Sequence, residues 1–231
     1  MIIAELTDKL RTAHGRRWLR QTLRMRLSSQ TDSIAVRRDM DIPFTPEPAQ
    51  IALEVRHLQP GDDLSCIADK PGLSPEAAQH RADQRWLLDA NLPTCWVAID
   101  SDGSVCYMAW LLTAQHNELI RSRWGDWLPA LRPDEGLLEG VYVAADQRGL
   151  GIMAEASCHV SDQAHEEFGV RYMLGIIGAD NGSSLRASEK CGYSPYMRRE
   201  DRWRLFRREI RFVPIEGSQW HASSTSHAIG G

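Results

Sequence analysis

The chain lacks the long apolar segments that membrane-spanning and exported proteins carry. Within its 231 residues, no apolar run approaches the roughly 20 residues that a transmembrane helix needs. Residues 1–5 do not begin the apolar core of a signal peptide. Hydrophobic residues make up 42% of the chain, which is enough for a substantial core. We therefore expect a globular, cytoplasmic protein of one generous domain, or of a domain with an appended arm.

Paired cysteines are also absent. The chain has five cysteines, an odd number, and none of them forms a Cys-x-x-Cys pair. This pattern argues against a disulfide framework and against a zinc site. We expect the cysteines to be small, reduced residues in apolar segments, and we predict no metal site.

The body of the chain is short of basic residues. Residues 1–40 hold nine Lys or Arg against four Asp or Glu, which leaves 18 against 27 for the remainder and gives a net charge of -4. No motif of a nucleic-acid-binding fold occurs in the acidic body. We therefore expect no nucleic-acid partner, and the basic arm alone is weak evidence for a polyanionic one.

Residues 5–27 predict a basic amphipathic helix, which Gly15 interrupts. Seven Lys or Arg residues lie between Lys9 and Arg26. The apolar positions recur at helical spacing, namely Leu6, Leu10, Ala13, Leu19, Leu23 and Leu27. Three roles stay open for this arm: packing on the body, packing on a second copy in a homodimer, or docking to a membrane surface or an acidic acyl carrier.

The chain divides into three predicted parts. Residues 1–48 form the arm and a linker, because residues 28–48 are polar and punctuated by proline. Residues 49–215 form the folded domain. Residues 216–231 are mostly small and polar, and we predict that they are disordered.

The folded domain predicts strands interleaved with helices. Alternating or apolar runs bounded by turn residues predict strands at 51–58, 94–99, 105–113, 137–143 and 170–177. Helices are predicted after the turn at 60–63, from a cap at Ser74 through Leu88, and over 151–168. Residues 114–136 are less regular and hold His116, Trp124 and Trp127, so they either border a pocket or cover apolar surface.

A glycine turn follows the strand at 137–143. The run RGLGIM occupies residues 148–153 and leads directly into the predicted helix. Glycine lets the backbone approach a ligand closely, and the free amides of a helix N-terminus favour an anion. The run therefore predicts a phosphate site, although Gly-x-Gly after a strand is also common as a simple tight turn.

Two motifs together resemble the GCN5-related N-acetyltransferase (GNAT) superfamily. The RGLGIM run is similar to the family's Arg/Gln-x-x-Gly-x-Gly/Ala loop, and NGSSLRASEKCGY at 181–193 is similar to its Asn-x-x-Ser/Ala…Glu-Lys-x-Gly-Phe/Tyr segment. A closing strand pair near 193–197 and 202–213 completes the resemblance, which covers residues 51–213. It implies an α/β fold with a mixed, mostly antiparallel sheet, one splayed strand pair and flanking helices.

The resemblance also implies where acetyl-CoA, or another acyl-CoA, binds as co-substrate. The pantetheine arm and thioester lie along the strand, and Asn181 and Ser184 approach from the opposite side. Arg186 and Lys190 neighbour the nucleotide phosphates, or are simply solvated charges. The strand contacts are Val141, Tyr142 and Val143, and the amides that hold the pyrophosphate belong to Arg148, Gly149, Leu150, Gly151, Ile152 and Met153.

Acyl transfer to an amine needs a base and a route for protonating the leaving thiolate. Glu139 is the predicted base, with an ordinary exposed strand glutamate as the alternative, and His116 is a second candidate. The family often has a tyrosine where this chain has Ser188, so Ser188 is predicted to act through water or the thiolate departs unaided. Met153 also replaces the family's usual small residue.

The leading hypothesis is acetyl transfer from acetyl-CoA to an amine of a small molecule or peptide. One alternative keeps the fold but transfers a longer acyl chain from CoA or an acyl carrier protein. The other is a sensor that binds acyl-CoA without catalysis, which the missing tyrosine favours. The acceptor is left open, because loops that bind acceptors follow no general code.

Overall fold

A computed structural model of the chain describes residues 23–68, 72–125 and 128–215, which form an α/β fold. The strands are β1 (Ser28–Asp39), β2 (Glu54–His57), β3 (Cys95–Ile99), β4 (Val105–Thr113), β5 (Glu135–Val143), β6 (Tyr172–Gly178), β7 (Ser194–Arg204) and β8 (Arg207–Pro214). The helices are α1 (Pro75–Asp89), α2 (Asn117–Trp124), α3 (Ile152–Phe168) and α4 (Gly182–Glu189). Single 3₁₀ turns occur at Ser65–Ile67, Ala114–His116 and Ala145–Gln147.

The larger of two compact units comprises residues 35–177 and 181–195. Its strands are hydrogen-bonded in the order β2-β3-β4-β5-β6, and the part of β1 that begins at Ala35 follows β6. The first four strands pair antiparallel, whereas β5 and β6 are parallel. The strands predicted between 51 and 177 are all present, with ends that differ by a few residues.

Local side-chain chemistry explains where elements of this unit begin and turn. The Ser74 side chain accepts a hydrogen bond from the N–H of Ala77, which caps α1 as predicted. Between β3 and β4, the Asp100 carboxylate accepts hydrogen bonds from the N–H groups of Asp102 and Ser104, each at 3.0 Å. Gly103 follows with a φ of +79°, which completes the predicted hairpin turn.

The core of this unit centres on β4, all nine residues of which are buried. Its largest fully buried side chains are Trp110 and Tyr107, and Leu87 of α1 is also fully buried. The Tyr107 hydroxyl is 3.0 Å from the Ser157 hydroxyl of α3, which satisfies a polar group inside the core. All five cysteines are free and four of them are buried, as predicted.

Residues 114–136 are more regular than predicted. Thr113 and His116 form a reciprocal cap around the 3₁₀ turn at Ala114–His116, and α2 follows. The helix is only eight residues long, which is too short for apolar periodicity to identify it. Trp127 lies outside the described residues, whereas Trp124 packs edge-on against Trp86 of α1 with ring centroids 5.6 Å apart.

The smaller unit takes in residues 1–34, 178–180 and 196–231, of which 23–34, 178–180 and 196–215 are described. It holds the start of β1 and the antiparallel pair β7–β8. The predicted start of the last strand at 202 is wrong, because β7 continues to Arg204. Leu205 and Phe206 make the turn with φ of 48° and 66°, where Asn or Gly is usual.

The linker predicted at 28–48 is wrong over Ser28–Asp39, which is β1. The sequence did not predict this strand, because two of its buried positions are polar and interrupt the alternation of apolar and polar residues. Ser33 is buried, and Arg38 is buried with its guanidinium 3.1 Å from the Asp162 carboxylate. A buried charge is tolerated when it is paired, so a strand with a polar sequence can still have a buried face.

Most of the predicted arm helix and the whole predicted tail lie outside the described residues. Residues 23–27 are helical. Among the residues that the structure describes, no helix is both long and apolar enough to cross a bilayer. Membrane contact, a homodimer and a cytoplasmic location remain predictions.

Candidate functional site

β5 and β6 are parallel neighbours that pair over only part of their length. The pairing joins Glu135, Gly136 and Leu137 to Tyr172, Met173 and Leu174. β5 runs on to Val143 and β6 to Gly178, and in the described part of the chain their pairing does not extend beyond those three residues. The two strands therefore splay apart, as predicted. Residues 175–178 are only partly buried.

A β-bulge interrupts β5 beside this opening. Met108 of β4 is opposite Tyr142, and Trp110 is opposite Glu139. Two residues of β5, Gly140 and Val141, therefore face a single residue of β4, which is the definition of a bulge. Gly140 has a φ of +65°, and a Cβ at this position would lie 2.8 Å from the Trp110 ring. The bulge thus requires glycine for both its conformation and its packing.

The predicted base, Glu139, immediately precedes the bulge and is partly buried. The pKa of its carboxyl group is raised from 4.5 to about 7, chiefly by desolvation, with a smaller contribution in the same direction from the charge of Asp83 on α1. The N–H of Gly140 opposes this shift by donating to the carboxylate. The alternative of an ordinary exposed glutamate is therefore not favoured, since a carboxyl group with a pKa near neutrality is suited to proton transfer.

The predicted phosphate loop connects β5 to α3. The Gln147 side chain donates to the Asp100 carboxylate at 2.7 Å, which ties the loop to the β3–β4 hairpin. Gly149 has a φ of +87° and open space within 4 Å of where a side chain would begin. Arg148 and Gly149 are exposed, and Gly151 is the N-cap of α3. An exposed backbone at the start of a 17-residue helix has the electrostatics of an anion site.

Gly151 packs closely against a neighbouring segment of the chain. Its φ is +81°, and a Cβ here would lie 3.1 Å from the Cα of Ala49. The Glu155 carboxylate accepts from the N–H of Ala49 at 2.6 Å, and the carbonyl of Leu150 accepts from the N–H of Gln50 at 2.8 Å. Residues 48–50 therefore cover one side of the loop, and glycine at 151 makes room for them. The predicted contact of the Gly151 N–H with the pyrophosphate stays a prediction.

The second motif forms α4 and its cap. The Asn181 side-chain oxygen accepts from the N–H of Ser184 at 3.1 Å and from the hydroxyl of Ser183 at 2.9 Å. Ser184 is partly buried, and Asn181, Arg186 and Lys190 are exposed. Ser188 is buried, and its hydroxyl donates to the carbonyl of Leu185 at 2.8 Å. A direct proton transfer from Ser188 to a ligand would break that bond.

The other titratable candidates have structural partners. His116 accepts a hydrogen bond on Nδ1 from the N–H of Thr113 at 3.0 Å, and burial lowers its pKa. Tyr193 is buried, 3.4 Å from the Ser161 hydroxyl, and burial raises its pKa. Tyr142 lies on β5 with the Arg81 guanidinium 5.0 Å from its ring centroid. Glu139 is therefore the candidate base that the geometry favours.

Helix α1 contributes residues to the site that the sequence did not indicate. His80 and Gln84 contact the carbonyls of the bulge. The sequence shows only that a glutamine follows a histidine by one helical turn. The partners of both side chains are backbone carbonyls, which no sequence pattern identifies. Within the described residues, no group of three or more His, Cys, Asp or Glu side chains could hold a metal ion.

Comparison with known proteins agrees with this geometry. The family model described as "Acetyltransferase (GNAT) family" matches residues 63–193, which is more than half of the chain. That range contains β3 to β6, the bulge and both motifs. No curated protein is detectably similar to the chain.

Solved structures share the fold at low sequence identity. A GCN5-related N-acetyltransferase from Sphaerobacter thermophilus is 15% identical, with a TM-score of 0.50 over 88% of this chain and 56% of its own. A glucosamine N-acetyltransferase region of a fungal multi-domain GH3 β-N-acetylglucosaminidase is 17% identical, with a TM-score of 0.53 over 81% and 22%. A functionally unknown protein from Staphylococcus epidermidis ATCC 12228 is 11% identical, with a TM-score of 0.50 over 79% and 64%. The chain thus spans less than two thirds of each of these proteins.

Proposed function

Because the chain belongs to the GNAT family of acetyltransferases, we propose that it transfers the acetyl group of acetyl-CoA to an amine of a small molecule or peptide. The observation that carries this proposal is the meeting of three features at one end of β5. These are the splayed gap beside β6, the bulge with Glu139, and the glycine loop that opens α3.

The loop and the gap supply the donor site in this proposal. The exposed backbone at Arg148 and Gly149 and the first turn of α3 hold the pyrophosphate through amide hydrogen bonds and the helix dipole. Val141, Tyr142 and Val143 line the pantetheine arm, because the strand edge next to β6 is open there. Asn181, Ser184, Arg186 and Lys190 complete the proposed site from α4.

Glu139 carries the acid–base step in this proposal. Its carboxylate takes a proton from the acceptor nitrogen as that nitrogen attacks the thioester carbonyl carbon. The new C–N bond forms, the C–S bond breaks, and the departing thiolate takes up a proton from water while Glu139 returns its own proton to solvent. At neutral pH, a base with a pKa near 7 is deprotonated in a large fraction of the molecules and still has a high affinity for the proton that it must take. Ser188 is not required, since its hydroxyl is already bonded within α4.

Release of free thiol tests the function as a whole. The purified chain is incubated with acetyl-CoA and a panel of amines, including amino acids, polyamines, peptides and an amino sugar. The amino sugar is included because one similar structure is described as a glucosamine N-acetyltransferase region. We expect thiol release with at least one amine, together with an equal amount of acetylated product. Binding of CoA without thiol release from any amine would instead support the sensor alternative. Thiol release only from longer acyl-CoA donors would support the long-chain alternative.

Substitution of Gly149 tests the proposed phosphate loop. We expect Gly149→Asp to weaken CoA binding by ten-fold or more in calorimetry, because a carboxylate would stand in open space where the pyrophosphate is proposed to lie. Gly103→Asp is the matched control, since Gly103 has a similar φ of +79° and also has no atom within 4 Å of where a Cβ would lie. The two variants should lose similar stability. Equal CoA affinity in both would remove the loop from the proposed site.

A further inference from the structure

The bulge in β5 leaves two carbonyl groups outside the ladder with β4. Gly140 and Val141 share one opposing residue of β4, so the regular exchange of backbone hydrogen bonds is broken there. Gly140 directly precedes the strand end that is proposed to hold the pantetheine arm, and Val141 is the first residue of that end. Gly140 is buried, so its carbonyl needs a partner. The carbonyl of the partly buried Val141 also has one, and both partners come from α1.

Gln84 and His80 each hold one of these carbonyls. The Gln84 side-chain amide donates to the Gly140 carbonyl at 2.8 Å, and Gln84 is fully buried. The Nε2 atom of His80 is 3.1 Å from the Val141 carbonyl. The two side chains are four residues apart and so lie on the same face of α1. We call them the bulge clamp.

The clamp defines the protonation of the His80 ring. A carbonyl oxygen only accepts, so His80 must carry a proton on Nε2 to bond with Val141. The Gln84 amide nitrogen lies 3.2 Å from the same Nε2 and only donates. In the tautomer that bonds Val141, the 3.2 Å contact joins two donors and is not a hydrogen bond, so each N–H is directed at its own carbonyl.

The clamp is joined to the proposed base through Gly140. The N–H of Gly140 donates to the Glu139 carboxylate, and its carbonyl accepts from Gln84. Rotation of the Gly140 backbone would therefore move the base and the strand edge together. Glycine at a φ of +65° has more freedom to rotate than any other residue, so the site needs an external restraint.

We propose that His80 and Gln84 are positioning residues that hold the β5 bulge in the geometry that acyl transfer requires. This inference rests on the proposed function for its kinetic consequence and on backbone geometry for its structural one. Neither residue contacts the reacting atoms in this proposal. They act through the backbone of Gly140 and Val141.

Gln84→Met tests the clamp by removing the donor while keeping the side-chain length. We expect kcat to fall at least ten-fold. The Kd for CoA should stay within two-fold, because the substitution does not alter the proposed phosphate loop. Hydrogen exchange of the amides of residues 140–142 should become at least ten-fold faster. Gln163→Met on α3 is the matched control and should change neither quantity.

Gln84→Glu tests whether kcat depends on the hydrogen bond to Gly140, because a side chain with only a packing role would give no pH-dependent change in relative kcat. A protonated carboxyl can donate to the Gly140 carbonyl, whereas a carboxylate repels it. The ratio of the variant's kcat to that of the unchanged chain should therefore fall as pH rises through the titration of the new carboxyl group. At His80, we expect His80→Gln to retain more activity than His80→Leu, since glutamine keeps a donor.

The outcomes separate this inference from the proposed function. If the unchanged chain transfers no acyl group to any amine, the proposed function fails, and exchange at residues 140–142 still decides the clamp. Faster exchange in Gln84→Met than in Gln163→Met would then support it. Unchanged exchange in Gln84→Met would overturn the clamp, as would a kcat ratio for Gln84→Glu that is independent of pH in an active chain. If Gln84→Met fails to fold, as judged by near-UV circular dichroism, Gln84→Glu replaces it in the exchange measurement, and exchange at residues 140–142 relative to the unchanged chain should be faster above the titration of the new carboxyl group than below it; a ratio that does not change with pH would overturn the clamp.

Discussion

Replacement of Glu139 by glutamine is expected to lower kcat by about 10²–10⁴-fold, the usual range for loss of a general base. Glutamine has nearly the same shape but cannot take a proton from the acceptor nitrogen. CoA affinity should not change, because the phosphate loop and the strand edge remain. Steady-state kinetics and calorimetry on the same preparation check both parts of this prediction.

The pH profile makes the assignment of Glu139 more specific. In the unchanged chain, kcat/KM should rise with pH and level off above an apparent pKa of about 7, because only the carboxylate acts as a base. An acceptor that is already neutral across this range, such as an aromatic amine, prevents the acceptor's own titration from being mistaken for that of Glu139. In Glu139→Gln this acidic limb should disappear. A limb that persists unchanged would exclude Glu139 as the base.

The same pKa shift predicts the stability of the variant. The folded chain binds a proton at Glu139 more tightly than the unfolded chain does. The contribution of Glu139 to stability is therefore fully present below the unfolded pKa of 4.5 and is lost as pH rises through about 7. Glu139→Gln removes this loss, so its Tm should exceed that of the unchanged chain at alkaline pH, with little difference in acid. If the variant is more stable but less active, its loss of activity results from the missing base and not from unfolding.

Replacement of Gly140 by alanine is expected to destabilise the fold by about 2–5 kcal/mol. Roughly 1–2 kcal/mol comes from placing an L side chain in the left-handed region. A further 1–3 kcal/mol, approximately, comes from overpacking, because the new Cβ would lie 2.8 Å from the fully buried Trp110 ring and 3.2 Å from Leu87. The bulge should shift, and acyl transfer should be lost with it.

Gly103→Ala is the matched control for this prediction. Gly103 also has a left-handed φ, of +79°, but no atom lies within 4 Å of where its Cβ would begin. Chemical denaturation of the two variants therefore separates backbone strain, which both share, from the steric conflict with Trp110. Equal losses of unfolding free energy would mean that the bulge can accommodate a side chain, contrary to the geometry of β5.

The sequence predicted the parts of this fold whose signals are local. The hairpin turn at Asp100 to Gly103, the cap at Ser74 and the glycine loop before α3 are each specified by residues within a few positions of one another. The resemblance carried by two motifs added the splayed strand pair, which no local pattern reveals. The family and the fold were therefore predictable before any geometry was known.

The parts that the sequence did not predict depend on distant partners. β1 was predicted as part of a linker because its sequence is polar. Arg38 can be buried there only because it pairs with Asp162, and that partner lies more than a hundred residues away in the sequence. No local pattern indicated that the space beside Gly151 is taken by Ala49. The bulge clamp joins side chains of α1 to backbone carbonyls of β5. Because every residue has a backbone carbonyl, the sequence does not show which ones are bonded. Each of these features needs the tertiary structure before it can be recognised.

A crystal structure with bound acetyl-CoA tests the central claim most directly. We predict the pyrophosphate on the amides at the start of α3, the pantetheine arm between β5 and β6, and the thioester beside the bulge within reach of Glu139. The cavity that faces the thioester would also show the size and charge of the acceptor. Acetyl-CoA bound elsewhere, or bound with its thioester remote from Glu139, would contradict the account.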